Sequence, residues 1–145
     1  MYFPTGRTEE RGRGRAVVMG GVDSPNPYMT RVDFLNIPTM GNAILFGDLT
    51  VARAAVAAVS NLTRGCFMAG FTSPNTNHID FITIASTGNA TDFGDTLGNY
   101  QAQGRAMSPT RGLAAGNYAA SNLIEFITIA TTGNGTDYGD LTATK

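Results

Sequence analysis

Three stretches of this chain are near copies of one another, and a repeat of that length decides the architecture before any local propensity is weighed. VDFLNIPTMGNAILFGDLT, IDFITIASTGNATDFGDTL and IEFITIATTGNGTDYGDLT begin at Val32, Ile79 and Ile124, 47 and 45 residues apart. A second shared piece lies ahead of each: RAVVMGGV from Arg15, RGCFMAGF from Arg64 and RGLAAGNY from Arg111. Both pieces recur in the same order, so the 145 residues are expected to form one short array of stacked units. The division is an N-terminal arm over 1–14 and a repeat domain over 15–145, with units at about 15–62, 63–109 and 110–145. A multidomain enzyme does not fit in a chain of this length.

Within a unit the residues are those of short strands and tight turns. Ile79, Phe81, Ile82 and Ile84 alternate imperfectly with Asp80 and Thr83, and Ile124 to Ile129 repeats the pattern; β-branched and aromatic residues near period two form strands. STGNATDFGD supplies Gly88, Asn89, Asp92 and Gly94, residues that accept positive φ or cap their own backbone where strands reverse. The pair Gly20 and Gly21 is matched with Ala69 and Gly70 and with Ala115 and Gly116, and marks a strand end where neighbouring backbones approach closely. The Ala-rich segment Val51 to Leu62 has helix propensity, but its equivalent, GNYQAQGRAMSP from Gly98 to Pro109, is broken by glycine and proline, so both are read as strands. The total is about four strands per unit. Phe81, Ile84, Phe126, Ile129, Val18, Phe67, Leu45 and Leu49 are the predicted core.

Composition restricts the partners. Ten Lys and Arg against eleven Asp and Glu give a net charge of -1, which provides no general attraction for nucleic acid or an anionic membrane. The exception is RTEERGRGR, where Arg7, Arg11, Arg13 and Arg15 outnumber Glu9 and Glu10; it reads as a solvated or subunit-contacting arm, with phosphate binding as the alternative. The single cysteine, Cys66, forms no intrachain disulfide and is expected to be a buried small hydrophobe. The N-terminus lacks the apolar stretch of a signal peptide, and no run is long enough to span a bilayer.

The residues that could carry catalysis or a metal have plainer roles. His78, the only histidine, has Arg31 and Leu123 at its place in the other units and reads as a solvent-facing residue. One histidine and one cysteine make no typical zinc site, and there is no phosphate loop. Asp92 and Asp95, repeated as Asp137 and Asp140 and in part as Asp48, have the hard oxygens that calcium needs, but turn capping explains them with fewer assumptions. Asn61, Asn89 and Asn134 head Asn-X-Thr triplets, of which two belong to the repeated turn. The expectation is therefore no enzyme, no catalytic residue, no metal and no cofactor.

The order of an Arg, an apolar strand ending in small residues, a loop, a strand of the type IDFITI and a turn into a last strand resembles a kelch-type propeller blade from about Arg15 to Leu141. It departs from that family in having Phe46, Phe93 and Tyr138 where a tryptophan is the rule. The wording of the repeat is also similar to repeats of bacteriophage structural proteins, cyanophages among them. The resemblance implies an all-β protein of three kelch-like blades, about four short antiparallel strands each, completed by oligomerisation because closed propellers use four to eight blades. It implies a virion component, located in the virion, whose partners are copies of itself and other virion proteins. Arg7, Arg11, Arg13, Tyr138 and Leu141 are the candidate assembly residues, the arm or the first strand pairing with a neighbour's last strand. The alternative is a host-surface glycan- or protein-binding module using Tyr28 and Tyr118 on its loops.

Overall fold

The computed structural model describes residues 14–25, 27–101 and 103–145. Among them the chain forms eleven strands and no helix, so it is all-β as expected. The first sheet contains β1 (Arg15–Met19), β2 (Arg31–Asn36) and β3 (Ile44–Asp48). The second contains β4 (Ala57–Ser60), β5 (Arg64–Phe71), β6 (Asn75–Thr83) and β7 (Thr91–Asp95). The third contains β8 (Gly104–Met107), β9 (Arg111–Ala115), β10 (Leu123–Thr128) and β11 (Thr136–Asp140). Each is an antiparallel meander whose spatial order is its sequence order.

The sheets pack face against face in chain order, because alternate side chains of the middle sheet point to opposite sides. Phe67 of β5 and Ile82 of β6 join Val32, Phe34, Phe46 and Leu49 of the first unit in one buried cluster. Cys66, Met68 and Ile79, on the other face, join Ala114, Ile127 and Ile129 of the third unit in a second. Burial pushes the Cys66 thiol up to about 12, which makes it the inert packing residue the sequence indicated.

Every unit carries the same irregularity. The pairing of its last two strands shifts register at Val32/Asp33, Ile79/Asp80 and Ile124/Glu125, opposite Phe46, Phe93 and Tyr138. The extra residue of such a bulge is free to turn out of the ladder. Each of these aromatics meets the ring of Phe34, Phe81 or Phe126 edge to face, at centroid distances of 5.9, 6.0 and 6.0 Å. Asp92 and Asp137 support the bulge by accepting the N–H of Gly94 (3.1 Å) and Gly139 (2.9 Å). These aspartates lie inside β7 and β11, so they cap a bulge and not the chain reversal anticipated for them.

Several details correct the sequence reading. In the third unit the left-handed position is Gly116 (φ 69°), which aligns with Gly20 (61°) and Ala69 (52°); the matching pair is Gly116–Asn117, one residue later than Ala115–Gly116, and Ala115 is in β9. The Ala-rich segment is a strand only over Ala57–Ser60. Before it, Arg53 is bound by backbone to the first unit, donating to Met29 and accepting from Gly21, and Ala55 (φ 53°) breaks the extended run. Of the predicted core, Phe67, Leu49, Ile84 and Ile129 are buried and Phe81 and Phe126 half-buried, whereas Val18 and Leu45 are exposed. Leu45 aligns with Asp92 and Asp137, a solvent-facing position, and Val18 lies on the face of the first sheet that has no sheet over it among the described residues. The segment ahead of β1 that corresponds to β4 and β8 in sequence lies outside the described residues.

Candidate assembly interface

The junction between two units is built from the same parts twice. At the first, Gly88 N–H donates to Phe46 C=O (2.8 Å) and Ala90 N–H to Asp48 C=O (2.8 Å), while Asp48 N–H donates to the Asn89 side-chain oxygen (3.1 Å). At the second, Gly133 and Gly135 donate to Phe93 (2.8 Å) and Asp95 (2.7 Å), and Asp95 N–H donates to Asn134 Oδ1 (3.0 Å). The turn of each unit therefore clamps the last strand of the unit before it. The approach is close: a Cβ on Gly94 would stand 2.6 Å from the Gly133 oxygen, and one on Gly47 would collide with the Gly88 carbonyl. Only glycine fits there. Asn89 and Asn134, read as turn formers, serve the neighbouring unit.

An arginine crosses each junction in parallel with the clamp. Arg15 and Arg64 stack over Phe34 and Phe81, 4.6 and 4.4 Å from the ring centroids, and their Nη1 atoms donate to Ile84 O (2.8 Å) and Ala130 O (2.9 Å) of the following unit. The ring holds the guanidinium by cation–π attraction while its N–H groups reach forward.

A buried acid completes each junction. Asp80 accepts from Thr50 N–H (3.2 Å) and Thr50 Oγ1 (2.5 Å) and pairs with Arg53 at 2.9 Å, both ionic side chains being out of solvent. Arg53 also donates to Phe67 O (3.1 Å), and desolvation lowers its pKa against the pull of Asp80. Glu125 takes the place of Asp80 in the next unit, accepting from Leu97 N–H (2.9 Å) and Gln103 Nε2 (3.3 Å) without a cation among the described residues. Burial therefore raises its pKa, against the opposing effect of those two hydrogen bonds. Neither Arg53 nor this pair of acids was singled out from sequence. The available signal was an acid at the second position of all three copies of the strand motif, VDF, IDF and IEF, flanked by apolar residues where a solvated carboxylate has no purpose.

Tyr138 is on β11 and Leu141 follows it, donating its N–H to Asn122 O (2.6 Å); Arg7, Arg11 and Arg13 lie outside the described residues. Tyr28 is half-buried, its ring meeting that of Phe71 edge to face (5.4 Å), whereas Tyr118 is exposed on the β9–β10 loop. His78 is exposed beside Asp95, its Nδ1 3.7 Å from the carboxylate. An open groove of about 770 Å³ runs between β1 and β4. Its walls include Val17, Met19, Val59 and Phe67, and its one charged liner among the described residues, Arg15, is committed to Phe34 and Ile84. Among the described residues no three His, Cys, Asp or Glu side chains are grouped to hold a metal ion.

No protein-family model matches the chain, and a search of curated proteins finds no match.

Proposed function

We propose that the chain is a self-assembling structural component of a virus particle, a capsid decoration or a tail- or fibre-associated protein, in which the three sheets act as propeller-like blades. One observation carries the assembly part of this reading. Phe46 and Phe93 are each 3% exposed beneath the next unit, whereas Tyr138, the same residue of the third unit, is 55% exposed. The third unit thus presents a face that its two predecessors keep covered, and a partner that covers it gains the burial of an aromatic ring. The virion setting is supported by the likeness of the repeat wording to bacteriophage structural proteins. Its test is direct: mass spectrometry of gradient-purified particles is expected to find the chain in many copies per particle. Particles that are complete and stable without it would refute the assignment.

A further inference from the structure

The two ends of the array carry complementary halves of the junction found twice inside it. At the trailing end, Tyr138, Asp140 and Thr142 stand where Phe46, Asp48 and Thr50 stand in the first unit, and Lys145 stands where Arg53 does, since DLTATK repeats DLTVAR. The backbone agrees: Lys145 N–H donates to Ser121 O (3.1 Å) and its C=O accepts from Asn117 (3.1 Å), as Arg53 donates to Met29 (3.1 Å) and accepts from Gly21 (3.0 Å). Arg111 is stacked over Phe126 at 4.6 Å, like its two counterparts, but among the described residues its guanidinium has no carbonyl to reach.

At the leading end, Asp33 occupies the place of Asp80 and Glu125, and Asn42 that of Asn89 and Asn134. Asp33 is half-exposed and held by Arg31 of its own strand at 2.9 Å, whereas Asp80 and Glu125 are buried. Ile37 is 63% exposed, while its counterparts Ile84 and Ile129 are 6% and 0% exposed. A Cβ on Gly139, the counterpart of Gly47 and Gly94, would have no atom of the described residues within 4 Å, whereas the next turn fills that space in the other two units.

We infer that the partner is a second copy of this chain, docked head to tail so that its leading face repeats the internal junction on the trailing face of the first. This deepens the proposed self-assembly and rests on it. Gly41 and Ala43 of one copy donate to Tyr138 and Asp140 of the other, Asn42 accepts Asp140 N–H, and Arg111 reaches Ile37 O. Thr142 and Lys145 close on Asp33, an opposite-charge contact that selects this polarity over head-to-head or tail-to-tail pairing. Such a heterologous contact uses each face once, so it propagates until a ring closes or a filament forms.

The test uses two full-length variants, one with a blocked leading face (Asp33→Lys) and one with a blocked trailing face (Tyr138→Lys), measured by sedimentation velocity where the unmodified protein assembles. Each alone is expected to lose assembly and sediment as a single chain. Mixed in equal amounts, they are expected to form a species of two chains and nothing larger, because one sound face of each kind remains. Assembly that survives in both variants, or a mixture in which no two-chain species forms, overturns the head-to-tail junction while self-assembly stands. If the unmodified protein is itself a single chain at every concentration, self-assembly has failed. Should either variant lose its β circular dichroism, Asn42→Arg and Arg111→Glu, on exposed side chains of the same faces, replace them with the same expected outcomes.

Discussion

Glu125 and Asp80 stand at the same place in successive units, yet their burial is compensated differently. A carboxyl whose folded pKa lies above its unfolded value binds a proton more tightly in the fold, as burial makes Glu125 do. Its contribution to stability is complete below the unfolded pKa and is lost as pH rises through the folded one. Glu125→Gln retains the acceptor for Leu97 N–H, and its amide can donate to Gln103 Oε1, which has no partner among the described residues. The variant should gain in urea midpoint over the native protein as pH is raised from 4 to 8, and a difference independent of pH would disprove the buried charge. For Asp80 the case is the reverse, because removing it strands Arg53: Asp80→Asn should cost about 3–5 kcal/mol. Asp33→Asn, at the equivalent but half-exposed place, should cost a dilute single chain about 1 kcal/mol or less in the same unfolding experiment. The sequence showed the acid in each copy but not its burial, since burial depends on which face the neighbouring sheet covers.

The repeating elements were the most legible part. Strand, turn and strand follow from the alternation of IDFITI and the glycines after it, and eleven strands are found where about four per unit were expected. What the alternation concealed was the bulge, because an extra residue inverts the inside–outside pattern after it; Asp92 and Gly94 therefore read as turn residues ahead of the last strand when they lie inside it. The Ala-rich segment was only partly legible because its first half is bound to the preceding unit. The bulge aromatics give a test at this scale. Phe93→Ala empties a buried site between two sheets and should cost about 3–5 kcal/mol. Tyr138→Ala, the same change in the third unit, should cost the dilute chain only about 1 kcal/mol. Equal losses in thermal or urea unfolding would mean that the third unit is covered as fully as the second. His78→Ala removes an exposed side chain and should shift stability by about 0.5 kcal/mol at most.

At the scale of the molecule, the period predicted a stack of like units, and the three sheets follow it. The ends of the array carry no such signal in the sequence. A repeat in sequence shows what recurs, whereas the missing contacts at Ile37, Asp33, Tyr138 and Lys145 are defined only by what the same positions do in the internal junctions, where they are covered. The proposed contact lies on the two faces of the array; the arginine-rich arm lies outside the described residues. The most direct test of the central claim is sedimentation velocity of the full-length chain from about 1 to 100 μM, the micromolar range of many specific protein contacts. Closed or growing head-to-tail species whose proportion rises with concentration are the predicted result, and a folded single chain throughout that range would contradict it.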